Sequence, residues 1–71
     1  MMESWTIKVL NFGKTQYGLW ALVNLCNGTI LYYGIVQFKD EYKLEKDKVY
    51  DVKTIDIKQL KNNKLQIKIG L

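Results

Sequence analysis

The dipeptide Asn27-Gly28 stands between two long apolar runs, and no other stretch constrains the fold as much. Tyr17-Gly18-Leu19-Trp20-Ala21-Leu22-Val23-Asn24-Leu25-Cys26 precedes it, and Thr29-Ile30-Leu31-Tyr32-Tyr33-Gly34-Ile35-Val36-Gln37-Phe38 follows. A two-residue type I′ turn needs φ > 0 at both central positions, which Asn tolerates and Gly adopts without a Cβ penalty. The spacing therefore predicts one hairpin over Tyr17 to Phe38, with Cys26 opposite Thr29. Its arms run about ten residues each, against the usual five or six for a strand. Both arms are apolar on both faces for much of their length and are interrupted by Gly18 and Gly34. Strands of this kind bend and change which face they bury, as in small closed barrels.

The remaining chain supplies three more strands. Met1 to Ser4 read as a loose start. Trp5 to Phe12 begins as an alternating strand, with Trp5, Ile7 and Val9 on one face and Thr6 and Lys8 on the other. The pattern shifts at Leu10, which signals a bulge or strong coiling. Gly13 to Gln16 is a short polar link that makes strands one and two antiparallel neighbours. Lys39 to Asp47 is dense in charge of both signs and reads as one helical turn or an ordered loop. Asp40 is its candidate cap, and Tyr42, Leu44 or both are candidates to dock on the barrel end. Lys48 to Ile57 is a fourth strand whose phase changes between Val52 and Ile55. Gln59 to Asn63 is a turn, and Lys64 to Ile69 alternates cleanly, with Leu65, Ile67 and Ile69 inward. The expectation is an all-β chain, one domain over residues 1–71, folded as a small five-stranded barrel with a short helix or loop between strands three and four.

Composition narrows the chemistry. The chain has one cysteine and no histidine. An internal disulfide is excluded, and a zinc site built from this chain alone lacks its ligands. No apolar run reaches the roughly 20 residues of a membrane helix and no signal peptide is visible, so a cytoplasmic protein without membrane contact is expected. Asp51 and Asp56 are the nearest thing to paired carboxylates, but no nucleophile, metal cluster or phosphate loop accompanies them. The reading is a binding protein without cofactor, not an enzyme. The net charge of +4 comes wholly from lysine, since arginine is absent. Lysine acts as a mobile point charge where arginine reads a base bidentately, so the balance favours sequence-tolerant phosphate attraction. A solvated lysine surface from a lysine-rich genome is the competing explanation.

Three pieces, in order, resemble the single-stranded-DNA-binding OB-fold domains, including those of replication protein A. They are Gly18-Leu19-Trp20-Ala21-Leu22-Val23-Asn24 with the Asn27-Gly28-Thr29-Ile30 turn, Gly34-Ile35-Val36-Gln37-Phe38, and Leu44-Glu45-Lys46-Asp47-Lys48-Val49-Tyr50-Asp51-Val52. The resemblance spans roughly residues 17 to 57 and implies an OB-like barrel that binds its ligand across strands two and three and the adjoining loops. A five-stranded SH3-like barrel is the structural rival. Within the resemblance, Trp20 lies near the strand-two aromatic on which a base stacks; read without it, Trp20 is equally a core residue.

Tyr32 and Tyr33 are adjacent in one strand and must face opposite ways. The ideal register sets Trp20 opposite Ile35 and Leu22 opposite Tyr33, which puts Tyr33 on Trp20's face; a single bulge would put Tyr32 there instead. Phe12 and Lys8 are expected to extend that face along strand one, with Tyr17 and Lys14 at the loop beside it. Lys58, Lys61, Lys64 and Lys68 form a run without an acid and are a candidate second flank. Six of the seven acids lie between Asp40 and Asp56, a side expected to repel nucleic acid. Lysines interleaved with aromatics suit a single-strand groove, with charge tracking phosphates and rings holding bases. The expected function is sequence-tolerant binding of single-stranded nucleic acid, DNA in preference to RNA. The small size suggests an accessory subunit beside a polymerase or primase in the replication of a phage or mobile element. The rival from another class is a protein-interaction module or inhibitor. It would act through an exposed patch of Leu22, Tyr32, Tyr33 and Phe12, which is also a candidate homodimer face.

Overall fold

The computed structural model describes residues 4–71. The loose start expected for Met1 to Ser4 falls, except for Ser4, outside the described residues. The strands are β1 (Trp5–Thr15), β2 (Gly18–Cys26), β3 (Ile30–Phe38), β4 (Val49–Val52), β5 (Thr54–Gln59) and β6 (Leu65–Gly70). They form one sheet in the order β4-β1-β2-β3-β6-β5, antiparallel throughout except where β3 meets β6. The first three strands are a meander, and β4 returns beside β1, which is the Greek-key arrangement. The two outermost strands, β4 and β5, are separated only by Lys53, so the sheet curls until its ends meet. There Val52 pairs with Trp5, and the Lys53 N–H donates to the Gly70 carbonyl at 2.8 Å. The fold is all-β and barrel-like.

Six strands replace the expected five because the fourth breaks at Lys53. Its first half pairs with β1 and its second with β6. The phase change read between Val52 and Ile55 is this break: one residue outside the ladder lets both side chains turn toward the interior.

The interior is aliphatic. Ile7 and Val9 of β1, Ala21, Val23 and Leu25 of β2, Val36 and Phe38 of β3, and Ile67 and Ile69 of β6 are buried, as is Leu44. Each Val, Ile, Leu or Phe among them contributes about 1.5–3 kcal/mol when fully withdrawn from water. No polar or charged side chain among the described residues is buried with them.

Leu44 belongs to the charged segment, which forms no helix; the described helical structure is a single 3-10 turn at Lys61–Asn63. Asp40 therefore caps nothing. The segment is held as a loop by its own aromatic residues. Tyr42 sets its ring edge-on against Phe38 with centroids 5.8 Å apart, and its hydroxyl accepts the Leu71 N–H at 3.2 Å. The Tyr50 hydroxyl accepts the Glu45 N–H at 2.8 Å. Asp47 then adopts φ 63°, and its N–H donates to the Val9 carbonyl at 2.6 Å, which turns the chain into β4.

The central hairpin departs from its expected register twice. The turn is not type I′: Gly28 takes φ 78°, but Asn27 stays outside the left-handed region. Cys26 pairs with Ile30, so Asn27, Gly28 and Thr29 form a three-residue connection. Leu31 is then skipped, and Leu25 pairs with Tyr32. Each slip is one residue. Alone, either would have exchanged the two faces of β3; together they restore the alternation. Tyr33 thus stays on Trp20's side, although Trp20 now lies opposite Gln37 instead of Ile35.

Tyr32 faces inward, and its ring bends over Gly34, where an added Cβ would stand 2.6 Å from Cζ. Gly34→Ala should cost about 1–3 kcal/mol through overpacking against that ring. Urea denaturation would measure it. Combined with Tyr32→Leu, which removes the ring, the loss should fall below the sum of the two single losses.

Candidate nucleic-acid interface

Alternation along the strands sends one set of side chains outward from β1, β2, β3, β6 and β5. Register lines them up in rows. Gly13, Trp20, Gln37, Lys68 and Asp56 form one row across five strands. Asn11, Leu22 and Ile35 form the next, and Lys8, Asn24 and Tyr33 another. With strands about 4.8 Å apart, Lys8 and Tyr33 stand about 10 Å from each other, as do Trp20 and Lys68. Rings at the centre are flanked by cations on both sides.

Trp20 is half-buried because it lies on a glycine. Its indole covers Gly13, where an added Cβ would sit 2.6 Å from Cζ2. A cavity of about 310 Å³ adjoins it, lined in part by Thr15, Tyr17, Ile35 and Gln37. Tyr17, at the β1–β2 turn, is 87% exposed and forms the rim. Tyr33 is 63% exposed on the same face. Gln37 is fixed by a hydrogen bond from Gln66 Nε2 to its Oε1 at 3.0 Å. That pair bridges β3 and β6 beside Lys68 and Lys58, and sequence reasoning missed it as part of the face. Its one sequence signal is that Gln66 shares the outward phase of Lys64 and Lys68.

Other expected members sit elsewhere. Phe12 pairs with Ala21 and packs against the core, because the irregularity between Val9 and Asn11 returns β1 to its buried phase. It does not extend the face of Lys8. Tyr32 also faces inward, where its hydroxyl donates to the Ile35 carbonyl at 3.3 Å. Lys14 pairs with Leu19 on the inner register and forms an ion pair with Glu41, so it does not stand beside Trp20. Lys58 and Lys68 lie on the outer face; Lys61 sits in the 3-10 turn and Lys64 just beyond it, both exposed. The patch once expected from Leu22, Tyr32, Tyr33 and Phe12 is divided between the two sides of the sheet.

Charge follows the sheet more than the sequence. Asp56 belongs to the acidic stretch yet lies on the outer face beside Lys68, where Lys39 neutralises it at 2.7 Å. Among the described residues, Lys8, Lys58, Lys61, Lys64 and Lys68 have no ion-pair partner. Lys48, by contrast, donates to Glu45 at 3.1 Å, and this bond and the charge of Glu45 raise its pKa above the ordinary lysine value. Among the described residues no group of three or more His, Cys, Asp or Glu could hold a metal, and no helix is long and apolar enough to cross a membrane.

A second cavity of about 400 Å³ lies at the end of the barrel against Trp5, Val52, Ile55 and Ile57. Trp5 packs against the core from there, as its shared face with Ile7 and Val9 implied. Among the described residues Lys53 is the only charged one lining that cavity, which gives phosphate little to follow.

Gly13→Ala should lift the indole of Trp20 off the sheet while leaving the core intact. In a Trp5→Phe background, the emission of Trp20 should shift to the red with far-UV circular dichroism unchanged; an unshifted spectrum would mean that the ring does not rest on Gly13. The chain matches no protein-family model, no curated protein and no solved structure.

Proposed function

We propose that this chain is a small OB-like barrel that binds single-stranded nucleic acid, DNA by preference, across the outer face of β1, β2, β3 and β6. The observation that carries this reading is the row from Trp20 through Gln37 to Lys68, with Tyr33 and Lys8 on the same face. Bases stack on Trp20 and Tyr33, and Tyr17 closes the rim. Lys8 follows phosphates along one side; Lys58 and Lys68, with Lys61 and Lys64 at the adjoining turn, follow them along the other. With β4 and β5 counted as one interrupted strand, the sheet is a five-stranded Greek key, and the return of β4 to β1 favours the OB-like reading over an SH3-like barrel. Lysine without arginine supports phosphate attraction with little base preference. A face this small limits affinity, which supports a role as an accessory subunit in replication, beside a polymerase or primase of a phage or mobile element.

A second reading, a protein-interaction module or inhibitor, draws on the exposure of Ile30, Leu31 and Ile35 beside Tyr33. Salt separates the two, because phosphate binding weakens steeply with salt and an apolar contact does not.

The test is a fluorescence titration of the Trp5→Phe protein with oligo-dT and with duplex DNA at two salt concentrations. Salt-sensitive quenching by the single strand is expected. Trp20→Ala, followed by anisotropy of a labelled oligonucleotide, should lose about 1–3 kcal/mol, or roughly 5- to 150-fold in affinity. Lys68→Ala should lower the salt slope by about 0.7, whereas Phe12→Leu, facing inward, should leave binding unchanged. Folded protein that ignores oligo-dT at low salt would transfer the assignment to the interaction module.

A further inference from the structure

β3 has an edge that the described chain does not cover. Over its nine residues β2 lines one side, but β6 reaches the other only at Gln37 and Phe38. The Lys39 N–H donates to the Ile69 carbonyl at 3.0 Å, so the main chain of Lys39 and Gln37 aims at β6. Alternation puts the N–H and C=O groups of Ile35 and Tyr33 on that same edge. There β6 has already turned away. Gln66 still reaches Gln37 by a side chain, but Leu60 and Leu65 stand across a wedge of about 340 Å³ from Tyr32 and Ile35. The Ile35 carbonyl is met by the Tyr32 hydroxyl, and no described strand pairs with Tyr33 on this side.

Open edges are ordinarily protected by charged residues, proline or a covering segment, because a bare row of main-chain donors and acceptors recruits other strands. This one carries no charge and no proline, and its one irregularity is the bulge at Leu31. The 11 lysines and 7 acids all lie outside residues 27–38, and the chain has no proline.

We infer that β3 pairs along this edge with β3 of a second copy, antiparallel about a two-fold axis near Tyr33, joining two chains into one extended sheet. Three features favour a second copy as the occupant. The chain has net charge +4, and of its two long uncharged strands β2 is already paired on both sides, so β3 is where two copies can meet without the repulsion their lysine-rich surfaces would cause. A two-fold axis near Tyr33 makes the edge its own complement. Tyr33 exchanges main-chain hydrogen bonds with Tyr33 of the second copy, and Ile35 lies beside Leu31. Those aromatic and apolar cross-strand pairs are favourable, and their members are now 63% (Tyr33), 51% (Leu31) and 49% (Ile35) exposed. The pairing consumes main-chain groups and leaves Trp20 on the outer face, so it does not depend on nucleic-acid binding.

Light scattering after size exclusion, over a dilution series, should give twice the 8.4 kDa chain mass at high concentration. Leu31→Lys places a cation against Ile35 of the second copy and should return the mass to that of the single chain, with the circular dichroism spectrum unchanged. Amide exchange on the wild-type protein gives a readout that needs no variant: the Tyr33 and Ile35 amides should be protected at high concentration and exchange faster on dilution. A single-chain mass at every concentration would overturn the inference. A dimer that survives in folded Leu31→Lys, or one in which the Tyr33 amide exchanges freely, would also overturn it and move the contact to another surface. Protection of Tyr33 only in a mixed complex with a different protein would overturn it as well, by giving the edge to a foreign strand.

Discussion

A strand can send each side chain to only one of two faces, and a one-residue slip exchanges the faces from that point on. In a sheet this small, a few such slips decide what becomes core and what becomes surface. Without the irregularity at Leu10, Phe12 would face outward and Ala21 would have no large neighbour across β1. With only one of the two slips around the Asn27-Gly28 turn, Tyr33 and Tyr32 would trade places. Without the break at Lys53, one strand could not serve β1 with its first half and β6 with its second. Each irregularity relieves the strain of curling a sheet, and each also assigns chemistry to a face.

This explains which parts of the fold can be read in the sequence. The hairpin follows from Asn27-Gly28, and the position of the final strand and the inward Ile67 and Ile69 follow from local alternation; the link read at Gly13 to Gln16 shrinks to Gln16-Tyr17, because β1 runs on to Thr15. Phase changes at Leu10 and between Val52 and Ile55 are also visible as interruptions. Their consequences are not, because a local pattern reports that a slip occurs without saying where the ladder resumes. Phe12 was placed outward for that reason. Tyr33 came out on the correct face only because two slips cancelled, neither of which the Asn-Gly signal announces. The charged segment misled in a different way: a capping residue and spaced apolar residues resemble a helical turn, but Tyr42 and Leu44 gain more by reaching Phe38 and the core from a loop.

The candidate interface divides along the same line. Tyr33 reaches the face of Trp20 only through two cancelling slips, whereas Lys8, Lys58 and Lys68 share it because each lies in a stretch whose phase is legible. Lys14 does not, since its partner Glu41 comes from a loop that no local pattern brings near it. The Gln37–Gln66 bridge joins residues 29 positions apart across the parallel contact of β3 and β6, which alternation cannot foresee. Asp56 stands apart from the acids that surround it in sequence: it lies on the outer face beside Lys68 and pairs with Lys39. Local charge density in a sequence is a poor guide to the field over a sheet, because neighbours on a face come from different strands.

The absence of charge between Asn27 and Phe38 has two physical consequences. A lysine or glutamate in β3 would guard its open edge, and at Tyr33 or Ile35 it would also stand among the rings on the outer face. A flat apolar surface suits base stacking because water is readily displaced from it and every base presents a π-face. The same emptiness of charge leaves the adjoining main chain available to another strand. A sheet of this size can protect its edge or keep its face clear for rings, and along β3 its residues are those that keep the face clear. Pairing of two copies at that edge would resolve the conflict, since main-chain partners cover the edge without placing a charged side chain on the face.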